Sequence, residues 1–190
     1  MADLIGANVA SVASRTLPLA GFHGGSGAAA LSVAAPATRI SLRAKPDAVS
    51  ALSGALGLPL PVKAKTSASS NGRHALWLGP DEWLVIDENG ADLMAAVTSS
   101  NVLHSATDIS HRNTAVIVKG RGAAVAINGG CPQDLSLTAF PVGACSRTVL
   151  AKAEIVLLRT AEDTFRVECW RSFAPYVSTL LAEAAEDAGN

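Results

Sequence analysis

Several places in the chain gather residue types that could do chemistry. In "TDISHR" (107–112), Asp108, Ser110, His111 and Arg112 supply the side chains of a nucleophilic serine site. A triad needs its serine on a strained elbow and its partners delivered by separate elements. Here all of them share one turn, where Asp and Ser hydrogen-bond the local backbone. The stretch therefore reads as structural. His104 and His111 stand seven apart with no third ligand nearby, which makes a poor metal site.

Two glycine-rich stretches could hold an anion. "GFHGGSGAAA" (21–30) has the composition of a phosphate loop but lacks the Gly-Lys-Ser/Thr ending. In "AVIVKGRGAA" (115–124) a strand runs through Gly120, Arg121 and Gly122 into a helix, a junction that could present backbone N–H groups to an anion. Val125 occupies the place of a dinucleotide fingerprint's third glycine, so a tight strand-to-helix turn is the leading reading and an anion site the alternative. No catalytic residue and no metal ligand is assigned.

Cys131, Cys145 and Cys169 are odd in number, far apart and free of any CxxC spacing. They read as reduced thiols of a cytoplasmic protein, Cys169 facing inward with Phe165 and Val167. The tryptophans offer surface rather than reactivity. Trp170 falls on the strand face shared with Arg166 and Glu168, either as an interface anchor or packed beneath the last helix. Trp77 and Trp83 flank "GPDE". With Gly79–Glu82 as the turn, Trp77 pairs with Leu84 and Leu78 with Trp83, so the two indoles point to opposite sides. Trp77, Trp83 and Trp170 are the candidate partner-interface residues.

The chain has 190 residues, 49% of them hydrophobic, enough to bury a core. Fifteen basic against sixteen acidic residues leave a net charge of −1, which argues against nucleic acid or an anionic membrane as partner. No apolar run approaches the roughly 20 residues that span a bilayer. Residues 1–36 are rich in Ala, Gly and Ser, lack the build of a signal peptide, and read as a flexible arm ordered only on a partner.

The elements that must position these residues begin at position 37. "ATRISLRA" alternates as a strand, and "PDAVSALSGALG" is a helix with Pro46 in its first turn and Gly57 at its end. A loop with a short edge strand, the tryptophan hairpin and a helix near Leu93–Val97 follow. Next come two strands, a short helix from Gly122, the strands "SRTVLAKAEIVLLRT" and "TFRVECWR", and a last helix that Ser172 can cap. Helices interrupting strand pairs indicate an α+β fold with mixed or antiparallel sheets, and the doubled pattern points to two ferredoxin-like halves. Residues 37–190 form one such domain.

The blocks "LWLGPDEWLVI" (76–86), "DISHRNTAVIVKGRGAAVAINGGCPQDL" (108–135), "FPVGACSRTVLAKAEIVLLR" (140–159) and "FRVECWRSFAPYV" (165–177) occur in the order of a known family. Through them the chain resembles the gamma subunit of bacterial heterotetrameric sarcosine oxidase. The resemblance implies a fold like the folate-binding domain of the aminomethyltransferases. It also implies a complex that demethylates sarcosine to glycine with oxygen and tetrahydrofolate, giving hydrogen peroxide and methylene-tetrahydrofolate. FAD, FMN and NAD are expected in the alpha and beta subunits and zinc in delta, with none in this chain, which packs directly on alpha. The family supplies no catalytic residue to carry over, so the implied role is a non-catalytic structural subunit. A sister complex such as N-methylglutamate dehydrogenase, or a small folate- or anion-binding module, is the alternative.

Overall fold

A computed structural model describes residues 17–189. Its strands are β1 (His23–Gly25), β2 (Ala30–Val33), β3 (Thr38–Ala44), β4 (Ser67–Ser70), β5 (Arg73–Gly79), β6 (Glu82–Asp87), β7 (His104–Asp108), β8 (Asn113–Lys119), β9 (Cys145–Leu150), β10 (Ala153–Ala161) and β11 (Thr164–Trp170). The helices are α1 (Val49–Leu56), α2 (Leu93–Thr98), α3 (Ala123–Asn128) and α4 (Ala174–Asp187), with short 3₁₀ turns leading into α1 and α4.

Two antiparallel sheets result, in the orders β4-β5-β6-β3-β7 and β1-β2-β8-β11-β10-β9. Within the first, β3-α1-β5-β6-α2-β7 is a ferredoxin-like βαββαβ unit with β4 added outside β5. The second repeats it as β8-α3-β10-β11-α4, with β9 added outside β10. Its fourth strand, beside β8, comes from β2 at the other end of the chain. The doubled α+β reading thus holds, with the second half closed by permutation.

Strand alternation makes three apolar layers. Ile40, Leu42, Trp83 and Val85 pack against Leu52 and Leu56 of α1 and Leu93 and Val97 of α2. Val116, Val118, Leu157, Phe165 and Val167 pack against Ile127 of α3 and Val177 and Leu181 of α4. Between the sheets lie Leu76, Leu84 and Ile86 from one and Cys145, Val156 and Leu158 from the other.

Three expectations change. The described part of residues 1–36 is no free arm: β2 pairs with β8 and buries Ala29 and Leu31 in the core, while residues 1–16 lie outside the described residues. Small residues suit this segment because the backbones nearly touch. A Cβ on Gly120 would lie 2.3 Å from the Ala28 carbonyl oxygen. Second, "SRTVLAKAEIVLLRT" is two strands, folded at Ala151-Lys152 with Leu150 opposite Ala153. Ala151 takes φ 49°, a conformation usually left to Gly or Asn, while its N–H donates to Gly130 O at 2.7 Å. Third, Ser172 does not cap the last helix, which starts after a 3₁₀ turn with a proline in its first turn.

Candidate functional site

Alternation along β11 sends Phe165, Val167 and Cys169 toward the helices and Arg166, Glu168 and Trp170 toward the facing sheet. Glu168, 1% exposed, accepts from Arg39 Nε at 2.8 Å and Nη2 at 3.1 Å, and from Arg166 Nε at 2.8 Å. Arg39 also donates to Ala37 O at 3.0 Å. Arg166 Nη1 reaches Glu88 Oε1 at 2.5 Å, and His74 Nε2 lies 4.0 Å from the same oxygen. Arg166 Nη2 is buried without a hydrogen-bond partner among the described residues. The His74 imidazole titrates below its ordinary value because burial disfavours its charged form, against the opposing pull of Glu88.

A cavity of about 230 Å³ opens beside this network, reached by Ser41, Asn113 and Glu154 and closed at one corner by Trp170. Its other carboxylates are tied: Glu82 pairs with Arg147, and Glu168 with Arg39. Bidentate pairing to arginine holds Glu168 as an acceptor already satisfied, so the arrangement joins two sheets rather than moving protons.

The residues singled out from the sequence do not converge on one site. Gly120 N–H donates to Asp163 O at 2.9 Å and Gly122 N–H to Ala28 O at 2.8 Å, so the two glycine donors of the candidate anion site are occupied. Glycine is required at position 120, where φ is 130°, and Arg121 is exposed. This favours the tight-turn reading: the junction is a packing joint between β8, α3 and the β1–β2 turn. In that turn Ser26 Oγ accepts from Ala28 and Ala29 N–H and donates to Ala185 O at 2.6 Å, which ties it to α4.

Ser110 Oγ donates to Asp108 at 2.5 Å and accepts from Arg39 N–H at 2.9 Å, the turn role expected of it. All three cysteines are buried and unpaired, and burial pushes the Cys145 and Cys169 thiols up to about 12. No group of three His, Cys, Asp or Glu side chains suited to a metal occurs among the described residues. None of their helices is long and apolar enough to cross a membrane.

The tryptophans separate clearly. A bulge between Trp77 and Gly79 shifts the hairpin register by one, so Trp77 lies opposite Trp83 rather than Leu84. The expected pairing therefore fails, while Trp83 belongs to the helix-side core and Trp77 packs against the inter-sheet cluster of Leu84 and Ile86. Trp83 is 1% exposed and donates Nε1–H to Pro61 O at 2.7 Å, so it belongs to the core and not to the surface. Trp77 is half-buried in an apolar groove with Pro46, Val49, Val62 and Pro80. Trp170 is 40% exposed, not covered by α4, with Arg112 over its ring at 5.2 Å and the Phe173 ring at 6.2 Å.

Sequence reading missed the Arg39–Glu168–Arg166 network. "FRVEC" alternates charged with apolar residues and so looks like a strand with one wet face. That face is dry only because the second sheet covers it. Arg39 and Glu168 lie on interior strands, the first of one half and the third of the other, so no correspondence between the halves marks the pair in the sequence.

The model of the sarcosine oxidase gamma subunit family matches residues 41–187. The chain belongs to the sarcosine oxidase gamma subunit family. It is 31% identical over 156 residues to sarcosine oxidase subunit gamma of Corynebacterium sp. strain P-1, covering 80% of this chain and 77% of that one. The subunit gamma of an Arthrobacter species is 32% identical over 146 residues, covering 74% and 72%. Among solved structures, a chain of the heterotetrameric sarcosine oxidase of Corynebacterium sp. U-96, in complex with pyrrole 2-carboxylate, superposes with a TM-score of 0.82 at 28% identity. The match covers 88% of this chain and 89% of that one. Aminomethyltransferase T of the glycine cleavage system of Bartonella henselae shares the fold at TM-score 0.60 and 18% identity, this chain spanning 45% of its length.

Proposed function

We propose that this sarcosine oxidase gamma chain is the non-catalytic, structural subunit of a cytoplasmic heterotetrameric oxidase. That complex converts sarcosine, oxygen and tetrahydrofolate to glycine, hydrogen peroxide and methylene-tetrahydrofolate. The observation that carries the reading is the near end-to-end match, at TM-score 0.82, to a chain of heterotetrameric sarcosine oxidase. The occupied groups of the chain support it. The thiols are buried, the Ser110 hydroxyl is turned to a carboxylate, and the glycine-loop donors are satisfied.

In this reading FAD, FMN, NAD and zinc reside in the alpha, beta and delta chains, and this chain contributes surface to alpha. Choice of the N-methyl amino acid then lies with a different chain. Expressing alpha, beta and delta with and without the gamma chain tests the role. Without it, the remaining chains should lose assembly and most sarcosine-dependent oxygen uptake. A soluble, fully active three-chain complex would sink the proposal.

A further inference from the structure

Trp170, Phe173 and Tyr176 are 40%, 38% and 41% exposed. The Trp170 and Phe173 rings lie 6.2 Å apart where β11 turns into α4, and Tyr176 stands in the first turn of α4, three residues beyond its N-cap Phe173. The patch is held in place before any partner arrives. Trp170 ends a central strand paired on both sides, and the Arg112 guanidinium stacks on its ring at 5.2 Å. A rigid cluster of Trp, Tyr and Arg is the composition of an interface hot spot, and preorganisation lowers the entropy lost on docking.

The lining of the neighbouring hollows carries cations without carboxylates. The hollow beside Trp170 is lined by His111, Arg112, Arg171 and Ser172, and the adjoining apolar hollow runs along Val33–Ala37 to Leu17 and Pro18. Neither hollow is lined by a carboxylate. On the far side of Trp170, Glu168 and Glu82 are neutralised by Arg39 and Arg147, which leaves Glu154 as the nearby acid lining that cavity. A second copy of this chain is a poor occupant, because a two-fold contact would set arginine against arginine.

We infer that the Trp170–Phe173–Tyr176 surface, rimmed by His111, Arg112 and Arg171, seats a segment of a neighbouring oxidase subunit that inserts an apolar anchor flanked by carboxylates. The inference rests on the heterotetramer reading above and adds to it the docking surface and the chemistry of the partner.

The test uses all four oxidase chains co-expressed, with this chain wild type or carrying Tyr176→Ala, Trp170→Ala or Arg112→Glu, and Val125→Ala as an exposed control. Subunit dissociation is read by dilution and native mass, and folding by thermal unfolding of each variant. Tyr176→Ala and Arg112→Glu should each weaken assembly about ten-fold or more, with unfolding temperatures near wild type. The Arg112→Glu complex should also lose most of the salt dependence of assembly. If the variants assemble as wild type does, the surface is wrong while the subunit role stands. If only Tyr176→Ala matters and salt has no effect, the acidic partner is overturned. Failure of the wild-type chain to join the complex overturns both readings.

Discussion

Arg39 of β3 and Glu168 of β11 meet at 2.8 Å with side chains 3% and 1% exposed, and their contact joins the two sheets. Arg39 pairs with no other carboxylate among the described residues, whereas Glu168 also holds Arg166 of its own strand, so the inter-sheet pair exists only when both halves are folded and docked. Burying two ions is costly in itself, and pairing with hydrogen bonds offsets that cost. Removing Glu168 leaves Arg39 charged, dry and without a carboxylate, while removing Arg39 leaves Glu168 with Arg166 as its one remaining cation. Glu168→Gln should destabilise the chain by about 3–5 kcal/mol, and Arg39→Met by less, because Arg166 still pairs with Glu168. In a double-mutant cycle followed by urea unfolding, the double variant should lose much less than the sum. Additive losses would show that the two residues act independently.

The tryptophan hairpin gives an unequal pair of effects. Trp83→Ala empties a fully buried site and breaks the bond to Pro61 O, so a loss of about 3–5 kcal/mol is expected. Trp77 is half-buried at the groove mouth, and Trp77→Ala should cost no more than half as much in the isolated chain. Chemical unfolding of the two variants side by side checks the order.

Acid should lower the stability of the protein in two stages. Burial raises the cost of charging Asp87, but the Ala91 N–H, Arg73 at 2.7 Å and the Asn89 N–H together hold its carboxyl below the ordinary value. Its stabilisation is present above about 3.9, the unfolded value, and is lost as pH falls through the folded one. His74 is also depressed, by burial, so the unfolded chain takes up a proton first and stability declines below about 6.5. His74→Gln should flatten the upper stage and Asp87→Asn the lower one in stability measured from pH 8 to 3.

The thiols should be silent until the chain opens. Cys145 Sγ donates to Thr66 O at 3.1 Å, and both Cys145 and Cys169 are pushed up to about 12 by burial. At pH 8 the native chain should react with a thiol reagent at these positions only on the timescale of unfolding, and rapidly in denaturant. Fast native labelling of either would contradict the packing described.

Periodicity made much of this fold legible. Leu52 and Leu56 turned inward as spaced, Gly57 closed α1 at φ 62°, and Cys169 went to the core with Phe165 and Val167. What escaped depends on neighbours distant in sequence. β2 is a strand because β8 offers it an edge, not because "ALSV" demands it. The turn at Ala151 has neither glycine nor asparagine to mark it. One extra residue at Leu78 moved Trp77 opposite Trp83, a shift that only the bulge geometry records. The inter-sheet charges looked wet because strand alternation reports a polar face but not what covers it. The candidate surface was partly legible: Trp170 stood out on a polar face, but its companions Phe173 and Tyr176 emerge only where β11 turns into α4.

Native mass spectrometry of the co-expressed four-chain complex tests the central claim most directly. The account predicts one assembly that contains this gamma chain, oxidises sarcosine, and releases its flavin and zinc from the other chains when the subunits are separated. A gamma chain that stays alone in solution while the other three form an active oxidase would contradict it.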